Sequence, residues 1–163
     1  MTKRQMIKMR YITIFLILFS PFFAQAKSNV PYFASIKAEE ANVRTGPSVR
    51  YPIQWVYQRP NWPVEVTATF EGWRKIRDIK GEAGWIHESL LTGKRNTVIN
   101  TNGVQEIYKL PIDNSKVVAI AESGVVAKLD ECKKKWCKIK ANNKKGWIES
   151  KYLWGVKKDE IFD

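Results

Sequence analysis

Apolar and polar residues alternate in short runs along this chain, and few windows repeat at the helical period. Val64-Glu65-Val66-Thr67-Ala68-Thr69, Trp73-Arg74-Lys75-Ile76-Arg77 and Gly84-Trp85-Ile86 predict strands. Val117–Ile120, Val125–Leu129, Trp136–Ile139 and Trp147-Ile148 predict strands in the same way. Glu71-Gly72 and Lys133–Lys135 predict hairpin tips, and Lys80-Gly81-Glu82 and Asn142-Asn143-Lys144 predict the turns that follow. Glu88–Leu90 and Ser150–Tyr152 each predict a single 3₁₀ turn before a last short strand. Short strands this closely spaced imply an all-β chain built as a small barrel or sandwich.

The strand pattern occurs twice. Trp73-Arg74-Lys75-Ile76 leads to Gly84-Trp85-Ile86, and Trp136-Cys137-Lys138-Ile139 leads to Gly146-Trp147-Ile148. The first Trp precedes the Gly by 11 residues in one copy and 10 in the other. Pro47 corresponds to Pro111 and Val66 to Leu129, which sets a period near 63 residues. A fixed period of this length means tandem modules. The expected division is a leader at 1–26, a first module at 34–92, a second at 97–156 and a polar, loose tail at 157–163. Thr92 to Asn96 form the expected linker and residues 27–33 an extended lead-in. A domain of roughly 60 residues buries only about 60% of its unfolded surface. Large aromatics offset that small core, and all seven Trp lie after the leader.

The leader predicts export. Lys3, Arg4, Lys8 and Arg10 precede a run from Tyr11 to Phe23 that is apolar apart from Thr13 and Ser20. Ala24-Gln25-Ala26 then places small residues where a signal peptidase reads them, so cleavage is expected after Ala26. The apolar run falls short of the ~20 residues that span a bilayer. No lipobox cysteine follows it. The mature protein is expected in the periplasm or outside the cell, with no membrane span.

Charge then separates the modules. Residues 27–93 carry 9 basic and 7 acidic residues, and residues 94–163 carry 15 and 9. The second module is the basic one, through solubility or through attraction to an anionic polymer or surface. Cys132 and Cys137, the two cysteines, flank the Lys133–Trp136 turn. In an oxidising compartment they are expected to bridge that hairpin. A metal site needs about four ligands, and the chain has one histidine, His87. No metal and no cofactor are expected.

Asn42-Val43-Arg44-Thr45-Gly46-Pro47-Ser48 followed by Gly84-Trp85-Ile86 resembles the bacterial SH3 (SH3b) domain pattern. The second copy resembles it in a more divergent form, through Val117-Val118-Ala119, Gly124-Val125, Trp136-Cys137 and Leu153-Trp154-Gly155-Val156. The resemblance covers about residues 34–156. It implies a five-stranded SH3-like β-barrel for each module, and it implies modules that often target cell-wall hydrolases to peptidoglycan or bind peptide stretches. A catalytic partner domain of that kind is missing from this sequence.

Strand parity separates core from surface. Ile76 and Ile139 read as core, so Trp73 and Trp136 lie on the opposite, outer or groove-lining face. Trp73 shares that face with Lys75 and Arg77, and Trp136 shares it with Lys138 and Lys140. This placement is similar to that of the SH3 family's groove Trp, and Tyr152 matches the family's groove Tyr. The first module has Leu90 there, and His87 and Glu149 stand where peptide-binding SH3 domains carry a Pro. Arg44 lies in the family's long first loop, where the second copy has Tyr108. The candidate ligand-binding residues are therefore Trp73, Arg44, Trp136, Lys138, Lys140 and Tyr152. For Trp73 and Trp136, packing between modules and ligand contact both stand. Trp85 and Trp147 read as packing residues, Trp55, Tyr57 and Trp62 as lining a groove or capping the barrel, and Trp154 as a seal at the module interface or barrel end.

No catalytic residue is expected. His87 is alone, both cysteines are paired, and Glu39-Glu40 and Asp130-Glu131 point to opposite faces of their strands. No metalloprotease, P-loop or nucleophile-elbow motif occurs. These readings converge on a non-catalytic exported binding protein whose partner is cell-wall peptidoglycan or another envelope component. The alternative is a periplasmic protein–protein adaptor or inhibitor using the inter-module surface. Export argues against nucleic acid as partner.

Overall fold

The computed structural model of the protein describes residues 29–163, so the leader lies outside the described residues. Two antiparallel sheets follow one another along the chain. The first contains β1 (Tyr32–Ile36), β2 (Ala41–Arg44), β3 (Ile53–Tyr57), β4 (Pro63–Phe70), β5 (Trp73–Arg77), β6 (Ala83–His87) and β7 (Leu91–Thr92). The second contains β8 (Asn96–Ile99), β9 (Val104–Tyr108), β10 (Val117–Glu122), β11 (Val126–Lys133), β12 (Trp136–Ala141), β13 (Lys144–Glu149) and β14 (Leu153–Trp154), with β15 (Ile161–Phe162) added to β11.

The strand order is β3-β2-β6-β5-β4-β1-β7 in one sheet and β10-β9-β13-β12-β11-β8-β14 in the other. Each strand of the second sheet is the seventh after its counterpart, so the sequence repeat is a structural repeat. The irregularities repeat too. The register of β4 on β5 shifts between Val66 and Ala68, and that of β11 on β12 shifts between Leu129 and Glu131. The 3₁₀ turns fall at Glu88–Leu90 and Ser150–Tyr152, as the sequence predicts. The all-β, two-module expectation holds, with more strands than the five implied for each barrel. The lead-in contributes β1, and the chain after each 3₁₀ turn returns as a two-residue strand.

Alternation builds the cores. Ile36, Val43, Val64, Val66, Ile76 and Ile86 fill the first, and Ile99, Leu129, Cys132, Cys137, Ile139 and Ile148 the second. The Gly of each Gly-Trp-Ile motif permits a close strand approach. A Cβ on Gly146 would lie 2.7 Å from the Tyr108 carbonyl, and one on Gly84 would lie 3.1 Å from the Arg44 carbonyl. Only glycine lets β13 and β6 cross β9 and β2 that closely.

Cys132 and Cys137 face each other across the β11–β12 hairpin and form the expected disulfide. In the first module Thr69 and Arg74 occupy the equivalent pair, and Arg74 forms an ion pair with Glu88 instead.

Two readings change. The tail is a strap: Ile161 and Phe162 pair with Lys133 and Cys132, and Phe162 packs on the second core. Its polarity hid two apolar residues and an ion pair between Glu160 and Arg95. The linker is also shorter than Thr92 to Asn96, because Thr92 closes β7 and Asn96 opens β8.

That short connection docks the modules. The Asn96 side-chain amide donates to Ser35 Oγ at 3.0 Å, and Ser35 Oγ donates to the Lys94 carbonyl at 2.8 Å. Ser35 and Asn96 are both buried. Phe33 meets Trp154 edge to face with ring centroids 5.4 Å apart, so Trp154 does lie at the module interface. Gly155 sits at φ +107°, where an added Cβ would lie 3.0 Å from the Asn96 carbonyl and 3.5 Å from Pro63 of the other module.

Candidate functional site

The outer face of the second sheet gathers aromatic and basic side chains. Core residues Cys137 and Ile139 alternate with Trp136, Lys138 and Lys140 along β12. On β13, Gly146 and Ile148 point inward and Trp147 points out. Trp147 pairs with Lys138 on one side and Tyr108 on the other. Tyr108 meets Trp136 edge to face at 5.7 Å. Three aromatic rings from three adjacent strands thus form one floor.

Lysines lie over that floor. Lys133 and Lys138 stand 5.5 and 5.4 Å from the Trp147 ring, and Lys135 stands 5.3 Å from the Trp136 ring. Their ammonium groups are drawn to the negative ring faces, while their alkyl stems cover the indoles. Trp136 is consequently 8% exposed and Trp147 6%, although both lie outside the core. The lysine tips remain in solvent, with Lys133 60% and Lys135 53% exposed. Glu149, opposite Trp136 in register, sits between Lys135 and Lys151 at 3.8 and 3.1 Å. Lys151 in turn lies 4.8 Å from the Tyr152 ring. A chain of charge contacts therefore joins Trp136 to Tyr152, and the two rings are not stacked on one another.

The local charges follow from these contacts. A hydrogen bond to Glu106, with lesser help from burial and nearby carboxylates, raises the Tyr108 phenol above its ordinary pKa. Hydrogen bonds to Glu131 and Glu149 raise the Lys133 and Lys151 ammonium groups. Lys133 and Lys151 are thereby held cationic at neutral pH, so the face can bind an acidic group.

The remaining candidates are dispersed. Arg44 pairs with Trp85 just as Tyr108 pairs with Trp147. Its guanidinium donates to the Val49 and Tyr51 carbonyls at 3.1 and 2.7 Å and thereby ties its own loop. Trp73 is half-buried and meets His87 edge to face at 5.4 Å. Lys140 lies at the other end of β12, facing the junction of the modules. Trp55, Tyr57 and Trp62 pack against the first core.

The packing reading of Trp147 fits its burial, and the parity that turns Trp136 outward against Ile139 turns Trp147 outward against Ile148. The sequence alone does not bring Lys133, Lys135 and the Tyr108 ring to that face. Tyr108 has no parity signal of that kind, because its neighbours are set by β9 crossing β13 at a single residue pair.

The match to a family model agrees with this architecture. The family model described as bacterial SH3 domain matches residues 37–93 and again residues 103–155. A protein of Bacillus subtilis (strain 168), YrvJ, provisionally named an N-acetylmuramoyl-L-alanine amidase, is 27% identical over 131 residues. That match takes in 74% of this chain and 25% of the relative, so the chain spans about a quarter of the relative's length. Among solved structures, NlpC1 of Trichomonas vaginalis is similar at a TM-score of 0.36 and 14% identity, over 80% of this chain and 48% of that one. An NlpC/P60 family protein of Bacillus cereus ATCC 10987 is similar at 0.34 and 15%, over 75% and 55%. With the family model met twice in succession over most of its length, the chain belongs to the bacterial SH3 domain family.

Proposed function

We propose that the protein is a non-catalytic, exported binding protein of the bacterial cell envelope that engages peptidoglycan through the outer face of its second module. The observation that carries this reading is the aromatic floor of Tyr108, Trp136 and Trp147 beneath Lys133, Lys135 and Lys138. The half-buried Tyr108 ring leaves apolar surface for a sugar or peptide backbone, and the lysines that cover the two indoles supply cations for the carboxylates of a wall peptide. The provisional name of the B. subtilis relative, N-acetylmuramoyl-L-alanine amidase, supports the same target. The Cys132–Cys137 disulfide supports an oxidising compartment.

The test is cosedimentation of the 27–163 protein with purified sacculi. The intact protein is retained. Trp136→Ala weakens retention by roughly 30-fold, as for loss of one interface anchor, and keeps the wild-type circular dichroism. Trp73→Ala has the smaller effect, because its ring meets His87 and no lysine. No retention of the intact protein overturns the reading.

The protein–protein alternative draws support from a place other than the junction between modules. Val104 and Ile120 on β9 and β10, and Leu110 and Ile112 in the loop between them, leave apolar side chains exposed at the free edge of the second sheet. Crosslinking in cells through that edge would return a defined protein if an adaptor role holds.

A further inference from the structure

The junction of the two modules holds a cleft of about 670 Å³ that the aromatic face does not include. Asn61 reaches it from the first module, Lys94 and Asn96 from the connection, and Lys128, Lys140 and Asn142 from the second module. The geometry points to a binding site here for a phosphate-bearing sugar or polyol, taken free or as one unit of a polymer.

The charge arrangement is the first argument. Lys128, Lys140 and Lys145 lie directly opposite one another on the adjacent strands β11, β12 and β13. Like charges in facing positions destabilise a sheet. Asp130 offsets the outer two, at 2.8 Å from Lys128 and 2.7 Å from Lys145. Hydrogen bonds from those two lysines hold its carboxyl below the ordinary range, so it stays ionised. Lys140, the central one, has no carboxylate within ion-pair distance among the described residues, nor has Lys94, which lines the same cleft. The fold therefore keeps two ammonium groups without an ion-pair partner in the lining of one concave space. An anion between them relieves the repulsion that the row imposes.

The donor set narrows the class. The cleft offers ammonium groups and Asn amides and no arginine. Lysine acts as a point charge on a flexible stem, so it can follow a tetrahedral phosphate without a fixed planar geometry. The volume far exceeds one phosphate, and Asn61, Asn96 and Asn142 provide neutral donors and acceptors of the kind that hydroxyl groups require. The walls are also fixed. Asn96 is held by Ser35, and the Asn61 backbone N–H donates to the Ile36 carbonyl at 2.8 Å. This site stands independently of the aromatic floor.

Chemical-shift titration of the 27–163 protein tests the assignment, with glycerol 1-phosphate as the monomer, poly(glycerol phosphate) as the polymer and glucuronate as the carboxylate control. Amides of Lys94, Asn96, Lys140 and Asn142 should shift with both phosphate probes and much less with glucuronate. Tighter binding of the polymer identifies a polymer unit as the source, and equal affinity per phosphate identifies a free ligand. Lys140→Gln should weaken phosphate binding about tenfold, the loss expected for one charge-assisted hydrogen bond. The same variant should melt at a higher temperature than the wild type, because it removes the middle of a like-charge row. Trp136→Ala should leave the phosphate titration unchanged. Absence of shifts at the cleft, equal response to glucuronate, or an unaltered affinity in Lys140→Gln would each overturn the site.

Discussion

Arg95 grips Glu160 across 65 positions of chain, with Nη1 to Oε1 at 2.7 Å and Nη2 to Oε2 at 3.1 Å. The same guanidinium donates to the Gly155 carbonyl at 2.8 Å and lies 5.1 Å from the Phe162 ring. One side chain at the entry to the second module thus anchors the end of the chain. Glu160→Gln should lower stability by about 1–3 kcal/mol, the range for a hydrogen bond to a charged group, and urea unfolding of the variant against the wild type measures it.

Acid should act through the same contact. Burial pushes the Glu160 carboxyl up, yet the Arg95 guanidinium and the Lys157 backbone N–H outweigh it and hold the pKa below the ordinary 4.5. A depressed folded value means the stabilisation is complete above pH 4.5 and is lost as pH falls through the folded value. Amide protection of Ile161 and Phe162 should therefore collapse on acidification, and in Glu160→Gln it should be low already at neutral pH. Protection that stays pH-independent in the wild type contradicts this account of the strap.

Two glycine substitutions separate backbone strain from crowding. Gly155 has φ +107° and neighbours from both modules within 3.5 Å of an added Cβ, whereas Gly124 has φ +84° and nothing within 4 Å. Gly124→Ala should cost about 1 kcal/mol from the left-handed backbone alone. Gly155→Ala should cost about 1–3 kcal/mol and should also separate Pro63 from the Asn96 region. Thermal melts of the two variants give the comparison.

The disulfide closes a short hairpin, so its removal should be tolerated. Cys132→Ala with Cys137→Ala, which leaves the core apolar, should lose about 2 kcal/mol by loop-closure entropy. Guanidinium midpoints of the oxidised protein and the double variant test the figure.

Docking of the modules should make unfolding cooperative. Removing the Phe33–Trp154 contact and the Ser35–Asn96 hydrogen bond together, as Trp154→Ala with Ser35→Ala, should split one calorimetric transition into two. The loss of a large, half-buried aromatic contributes most of that effect.

Local alternation made nearly every strand of β4 to β6 and β11 to β13 legible, because Ile76, Ile86, Ile139 and Ile148 mark the inner face at period two. The doubled Trp motifs made the tandem legible as well. What escaped was set by distant partners. Arg95 reads as one more surface cation until Glu160 is seen beside it, and the apolar Ile161-Phe162 pair is too short to announce a strand. Lys140 shares a strand face with Trp136, yet four residues along a strand separate the aromatic floor from the inter-module cleft. Trp136 itself shows the limit of parity: the rule turned it outward correctly and could not foresee that lysine stems would cover it.

The buried Ser35–Asn96 contact has a consequence for any repeating ligand. A tandem joined by a flexible linker can adjust its span, and its second contact gains through a broad effective concentration. Here the connection is only three residues between β7 and β8, and both its ends are hydrogen-bonded down. The faces of the two modules are therefore held at one separation. If a wall polymer of the proposed function engages both, only a period that fits the gap gains both contacts at once, and spacing along the ligand becomes a ground for discrimination.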